Sequence, residues 1–137
     1  MRRASARASP DPAGAVEAGG NMKVLFVFHD SPYGTERTYN GLRWAKQLAE
    51  REDTEARIYL FGDAVIAAAA EQRTPTGSHN IGKMVDQFAS LGGEVGSCKT
   101  CLNARGIMSE RLRDSTRLAS VADLGEWTVW ADKVINV

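Results

Sequence analysis

The sequence lacks several features that would point directly to a broad functional class. It has only two cysteines in 137 residues, which is too few for the disulfide framework of a small secreted domain. No apolar run approaches the roughly 20 residues that span a bilayer. The 17 Lys and Arg residues equal the 17 Asp and Glu residues in number, so we expect neither a nucleic-acid nor a membrane partner. Neither a GxGxxG motif nor a P-loop is present.

The two cysteines, Cys98 and Cys101, stand three residues apart. Because the arginines near the start are not followed by the apolar stretch of a secretory signal, we expect a cytoplasmic location. In a reducing compartment, a close cysteine pair indicates redox, sulfur or metal chemistry rather than a structural disulfide.

The N-terminal segment differs in composition from the rest of the chain. Residues 1–21 are rich in Ala, Ser, Arg, Pro and Gly, which predicts a disordered extension. An alternative is that Met22 is the true first residue. Residues 22–137 carry 14 basic and 15 acidic side chains and form one domain of ordinary composition.

Strand-like and helix-like segments alternate after Met22. Short Val- and Phe-rich or Ile- and Tyr-rich runs predict buried strands, whereas apolar residues at helical spacing predict helices. Strands are expected at 23–29, 56–61, 94–97, 117–119 and 133–137, and helices at 35–51, 64–72, 80–91, 120–131 and part of 102–112, with an interruption at Gly106. The predicted N-terminal caps of the first, second, third and last helices are Thr35, Asp63, Asn80 and Ser120, the last in a capping box with Asp123. This order predicts a three-layer α/β/α fold around a mostly parallel five-stranded sheet.

Three polar stretches follow predicted strands. They are His29–Gly34, Gly62–Asp63 and Cys98–Cys101. Because ligands of such sheets bind outside the carboxyl ends of the strands, we expect these stretches to converge on one site.

Cys98 lies where a strand is expected to lead into a helix. Free backbone N–H groups and the helix dipole at such a position favour thiolate over thiol, and Lys99 and Arg105 can add positive charge. A thiolate is the form that attacks the sulfur of a persulfide or disulfide. Cys101 is near enough to resolve such an adduct.

Other interpretations of the pair stay open at this point. The cysteines can be two small buried hydrophobic residues. A closed structural zinc site needs four ligands, and His29 and His79 lack a matching spacing, so no metal and no cofactor is expected within one chain. A thioredoxin-like motif would follow the first strand and not the third. His29 can orient a substrate or accept a proton, or it can be a solvated turn residue.

An ordered set of short motifs carries a family resemblance. The motifs are Ser31-Pro32-Tyr33-Gly34-Thr35-Glu36, Gly62-Asp63-Ala64-Val65, Asn80-Ile81, Cys98-Lys99-Thr100-Cys101, Arg105-Gly106, Trp127-Thr128 and Asp132-Lys133-Val134. With them, the chain from Lys23 to Val137 resembles the DsrE/DsrF-like family, most closely its YchN-type branch.

The resemblance implies a sulfur-handling function. Relay members of the family are cytoplasmic, form homo- or hetero-oligomers that include hexamers, and accept sulfur as a persulfide on a cysteine eight residues before the glycine of an Arg-Gly pair. Cys98 stands in that position relative to Gly106. YchN-type proteins have no firmly assigned activity, so whether this chain is an enzyme stays open.

Three hypotheses follow for the function of the chain. The first is a sulfur carrier or sulfurtransferase subunit that accepts sulfane sulfur on Cys98 and releases or relays it through Cys101. Its partners would be sulfur donor and acceptor proteins or small persulfides, and it would form a homotrimer or homohexamer. The second is a non-catalytic oligomeric binding or assembly protein with structural cysteines, in which the 64–70 helix and the tryptophans build subunit contacts. The third is a zinc-bridged oligomer.

Overall fold

The computed structural model describes residues 20–137. The extension predicted at 1–21 therefore lies almost entirely outside the described residues. Across the described part of the chain, none of the helices combines the length and the apolar character that crossing a membrane requires.

Five strands and four α-helices alternate along residues 20–137. The strands are β1 (Met22–Phe28), β2 (Thr54–Leu60), β3 (Glu94–Cys98), β4 (Arg117–Ala119) and β5 (Lys133–Asn136). The helices are α1 (Arg37–Ala49), α2 (Ile81–Ser90), α3 (Lys99–Ala104) and α4 (Val121–Trp130). Two 3₁₀ helices span Gly62–Ala68 and Ser109–Arg111.

All five strands are parallel, in the order β4-β3-β2-β1-β5. The chain moves steadily in one direction from β1 to β4 and then returns to the far edge for β5. Right-handed crossovers place α1, α2 and α3 on one face of the sheet and α4 on the other. The predicted three-layer α/β/α fold is confirmed, and the sheet is parallel throughout.

Most of the core lies between the sheet and helices α1 and α2, which pack on one of its faces. Strand β1 is buried from Val24 to Phe28, as expected for a central parallel strand with both faces covered. Helix α2 buries an apolar stripe of Ile81, Val85 and Phe88. On the opposite face, α4 buries a single residue, Trp127, whose ring lies edge-on to the Tyr59 ring.

The helix predicted at 64–72 is wrong in type and length. The chain forms a 3₁₀ helix that ends at Ala68 and buries Ala64, Val65, Ala67 and Ala68 within its own core. Beyond it, the carbonyl oxygens of Ala69 and Ala70 accept hydrogen bonds from the Arg113 guanidinium. The loop around Arg113 thus binds the backbone groups that a longer helix would use.

The helix expected in part of 102–112 begins earlier and ends before the predicted interruption at Gly106. Helix α3 starts directly after Cys98 and ends at Ala104. The N–H of Ile107 donates to the Leu102 carbonyl and that of Gly106 to the Asn103 carbonyl, with Gly106 at φ +70°. These two bonds form a Schellman ending, in which only glycine adopts the left-handed conformation without strain.

The predicted caps of two helices are confirmed, whereas the start of a third is displaced. Asn80 caps α2 through the N–H of Lys83, and Ser120 with Asp123 forms the capping box of α4. Helix α1 begins at Arg37, two residues after the predicted cap Thr35. The Thr35 hydroxyl oxygen still accepts a hydrogen bond from the Arg37 N–H.

Candidate active site at the carboxyl ends of β2 and β3

Cys98 is both the last residue of β3 and the N-cap of α3. Its Sγ accepts a hydrogen bond from the Cys101 backbone N–H at 3.3 Å, which is the role that a serine or aspartate oxygen usually fills at this position. The Thr100 hydroxyl lies 3.4 Å from the same sulfur and donates to it when the sulfur is ionised. The side chain of Cys98 is only 1% exposed.

Cys101 lies in the first turn of α3 and is partly exposed. Its Sγ accepts a hydrogen bond at 3.2 Å from the backbone N–H of Gly62, which follows the end of β2. Gly62 has φ +58°, a conformation that is costly for residues with a Cβ. The turn after β2 therefore directs a backbone donor to the second sulfur, and two of the three predicted strand ends meet at the cysteine pair.

Arg105 approaches the pair from the end of α3. Its guanidinium forms an ion pair with Asp63, at 2.7 Å between Nη2 and Oδ1, and donates a further hydrogen bond at 3.0 Å to the Cys101 carbonyl oxygen. The cation therefore binds the backbone of α3 and the start of the 3₁₀ helix rather than a sulfur. Asp63 makes this ion pair and does not cap the 3₁₀ helix.

The surroundings shift the pKa values of the two thiols in opposite directions. Burial raises the pKa of Cys98, but the hydrogen bonds from Cys101 and Thr100 and the nearby Tyr59 hydroxyl together outweigh burial and leave this pKa below its ordinary value. Burial and the neighbouring Cys98 sulfur raise the pKa of Cys101, against the opposing effects of the Gly62 N–H and the Arg105 cation. The site therefore favours a thiolate at Cys98 and a proton on Cys101.

Tyr59 is a site residue that the sequence analysis missed. Its hydroxyl donates to the Ser120 carbonyl at 2.9 Å and lies close enough to Cys98 to lower the pKa of that thiol. Burial raises the pKa of Tyr59, and the negative charge of Cys98 raises it further, so the hydroxyl stays protonated. The available signal was a polar hydroxyl within the otherwise apolar end of β2, Ile58-Tyr59-Leu60.

Two predicted site residues lie apart from the sulfur contacts. The exposed His29 makes a hydrogen bond of 2.8 Å from Nε2 to the Asn136 side chain, and its ring packs 6.0 Å from that of Phe61. Lys99 is exposed at the start of α3. The structure thus brings together Cys98, Cys101 and Arg105, whereas His29 and Lys99 stand outside their hydrogen-bond network.

No group of three His, Cys, Asp or Glu side chains within residues 20–137 is arranged to hold a metal ion. The zinc hypothesis would therefore need ligands beyond those that this part of one chain supplies.

Comparison with known proteins identifies relatives that span the whole domain. The sequence profile of the DsrE/DsrF-like family matches residues 22–137. Protein YchN of Escherichia coli K12 is 36% identical over 116 residues, covering 84% of this chain and 98% of YchN. An uncharacterized protein of Methanopyrus kandleri is 34% identical over 112 residues, covering 82% of this chain and 91% of that protein.

The fold agrees with the crystal structure of the E. coli YchN protein. That structure superposes with a TM-score of 0.78 at 34% sequence identity, and the alignment covers 85% of this chain and 99% of YchN. Since both the family profile and a relative of more than 30% identity extend across the domain, the chain belongs to the DsrE/DsrF-like family.

Proposed function

We propose that this protein carries sulfane sulfur as a persulfide on Cys98 and passes it to a partner. The observation that carries the proposal is the division of roles in the cysteine pair. Cys98 has the lowered pKa of a nucleophile, and Cys101 one helical turn away keeps its proton. Membership of a family that is generally linked to sulfur relay supports the same function.

The uptake step moves one sulfur atom without a change of oxidation state overall. The Cys98 thiolate attacks the outer sulfur of a donor persulfide, R–S–SH. A bond forms between Cys98 Sγ and the outer sulfur, and the bond between the donor's two sulfurs breaks. The donor leaves as the thiolate R–S⁻ with the electron pair, and Cys98–S–SH remains.

Release can follow either of two routes. An acceptor thiolate attacks the outer sulfur, and Cys98 departs as a thiolate. Alternatively, Cys101 loses its proton and attacks Cys98 Sγ, which forms the Cys98–Cys101 disulfide and expels hydrosulfide. The second route needs a dithiol reductant to restore the pair, whereas the first needs none.

Access to the sulfur constrains the donor. Because Cys98 is 1% exposed, a donor sulfur reaches it only if the donor is small or if α3 shifts. Cys101, whose backbone N–H contacts the Cys98 sulfur, is partly exposed. We therefore propose small persulfides, or partner proteins that displace α3, as donors and acceptors in a reducing cytoplasm.

The test is sulfur loading followed by intact-mass spectrometry. Reduced protein is incubated with glutathione persulfide and desalted, and its intact mass is measured. Cys98→Ser and Cys101→Ser are the matched variants. We expect the mass of one extra sulfur atom on the wild type and on Cys101→Ser, and no added sulfur on Cys98→Ser. Equal loading of Cys98→Ser and wild type would reject Cys98 as the acceptor.

A second candidate is a non-catalytic assembly protein with structural cysteines. It is favoured by apolar side chains that α4 leaves exposed, chiefly Val121 at 55% and Val129 at 63%. Either candidate would be a homo-oligomer, trimeric or hexameric, if copies of the chain cover these residues. The assembly function would be preferred if no variant acquires sulfur and Cys98→Ser only lowers the melting temperature.

A further inference from the structure

Tyr59 lies on the same sheet face as Cys98, although the two belong to neighbouring strands. In the register of β2 and β3, Tyr59 pairs with Gly96, and Cys98 follows two residues later. Side chains of paired residues, and of every second residue along a strand, share one face of a sheet. This is the face that α4 covers.

The absence of a side chain at Gly96 makes room for Ala119 and for the ring of Trp127. A Cβ at this position would lie 3.1 Å from Ala119 Cβ and 3.2 Å from the Trp127 ring, which is closer than side chains ordinarily pack. Since Tyr59 is paired with Gly96 and its hydroxyl reaches the Ser120 carbonyl after β4, the Tyr59 side chain extends across β3 toward β4.

The hydroxyl of Tyr59 ends beside the register partner of Cys98. It lies 2.9 Å from the Ser120 carbonyl oxygen and 3.5 Å from that of Ala119, and Ala119 is paired with Cys98 in the sheet. The oxygen therefore lies beside the residue that is paired with Cys98, close enough for negative charge on that cysteine to raise the pKa of the hydroxyl.

The ring is held so that its hydroxyl cannot move far. It is 0% exposed and makes edge-on contacts with Phe61 at 5.5 Å and Trp127 at 6.3 Å between ring centroids. A protonated hydroxyl in such a position is a preorganised donor, because little reorganisation is needed when negative charge develops nearby.

We propose that the Tyr59 hydroxyl is a thiolate-stabilising donor, which turns its proton from the Ser120 carbonyl to Cys98 Sγ whenever that sulfur carries negative charge. Its use in sulfur transfer rests on the proposed function. Tyr59 would stabilise Cys98 before attack on a donor and again when Cys98 leaves as a thiolate. The proton stays on the tyrosine oxygen throughout, and only the acceptor of its hydrogen bond changes.

The test is the pH dependence of Cys98 alkylation in Tyr59→Phe, read by peptide mass spectrometry with iodoacetamide. Loss of one hydrogen bond to a charged group should raise the alkylation midpoint of Cys98 by about one pH unit. This shift corresponds to about tenfold less Cys98 thiolate at a pH below the midpoint. Tyr33→Phe is the matched control, because the hydroxyl it removes forms its hydrogen bonds with the Gln72 side chain and the Ile81 N–H and not with groups at the cysteine pair. Its midpoint should equal that of the wild type.

An unchanged midpoint in folded Tyr59→Phe overturns the proposal. If the variant does not fold, NMR of wild-type protein with ¹³C-labelled tyrosine decides. The carbon that bears the Tyr59 hydroxyl should shift with the Cys98 midpoint and should lose this transition in Cys98→Ala. A flat signal in the wild type overturns the proposal.

Neither measurement contains a sulfur donor. A protein that never acquires sulfur would reject the proposed function, while the midpoints would still report separately whether Tyr59 stabilises the thiolate.

Discussion

The Cys98 sulfur is buried and nevertheless favours its ionised form. Desolvation opposes ionisation, so burial alone would make this cysteine inert. Four groups from three residues reverse the balance: the Cys101 side chain and backbone, the Thr100 hydroxyl and the Tyr59 hydroxyl. The nucleophilic sulfur thus lies inside the fold, and the protonated sulfur of Cys101 lies nearer its surface.

Thr100 provides a residue-scale prediction on thiolate stabilisation. Thr100→Val removes the hydroxyl 3.4 Å from Cys98 Sγ and should raise the pKa of Cys98, so that less thiolate is present at each pH below the midpoint. We expect a shift of about half a pH unit, because Thr100 is exposed and water partly replaces its hydroxyl. The measurement is the alkylation midpoint, and Thr100→Ser is the control that should retain the wild-type value. Identical midpoints in Thr100→Val and wild type would show that the Thr100 hydroxyl does not stabilise the Cys98 thiolate.

At the scale of elements, α3 depends on its surroundings. An isolated helix of six residues does not form in water, because its nucleation is too costly. Here Cys98 caps its first turn, the Schellman bonds close its end, and Arg105 ties the Cys101 carbonyl to Asp63. The helix that Cys98 caps is therefore held by contacts at both ends and can be loosened by changing one of them.

Breaking the ion pair between Arg105 and Asp63 should expose Cys98. At a pH where both cysteines are ionised, the alkylation rate reports access alone, and we expect Arg105→Met and Asp63→Asn each to raise the Cys98 rate several-fold. The two variants change the local charge in opposite senses, so a common increase identifies loosening of α3 rather than electrostatics. Arg111→Met, at a neighbouring exposed arginine, is the control. Unchanged rates in both test variants would mean that the ion pair does not restrain α3.

Much of the fold was predictable because its signals are local. The apolar run of β1 and the caps Asn80 and Ser120 depend on nearby residues, and the meeting of strand ends follows from parallel topology. By contrast, the 3₁₀ helix depends on hydrogen bonds to the distant Arg113. Tyr59 joins the site only through the register that places it opposite Gly96, and no local pattern encodes that register.

At the scale of the whole molecule, Arg113 joins three segments on one side of the sheet. Its guanidinium binds Asp86 of α2 through both carboxylate oxygens, and it also donates to the Ala69 and Ala70 carbonyls. Ser115 adds a third hydrogen bond to Asp86. The loop before β4, the end of the 3₁₀ helix and α2 are thereby fixed together, and the turn that contacts Cys101 begins this same 3₁₀ helix.

The Asp86–Arg113 pair should make stability depend on pH in the acid range. The hydrogen bond from Arg113, assisted by Ser115, holds the pKa of Asp86 below its ordinary value against the opposing effect of burial. Its stabilisation is therefore fully present above the unfolded pKa of about 3.9 and is lost as the pH falls through the lower folded value. We expect Asp86→Asn to lower the free energy of unfolding at pH 7 by about 1 kcal/mol, a modest value because the carboxylate is 45% exposed and partly screened.

Urea unfolding at neutral pH and at a pH below the folded value of Asp86 measures this contribution. The difference in unfolding free energy between wild type and Asp86→Asn should have its full value at neutral pH and shrink at acid pH, where the wild-type carboxyl is itself neutral. Asp114→Asn, at an exposed carboxylate in the same loop, should change stability little at either pH. If Asp86→Asn and wild type differed equally at both pH values, the effect would come from packing of the side chain, and the ionised pair would not be what holds these three segments together.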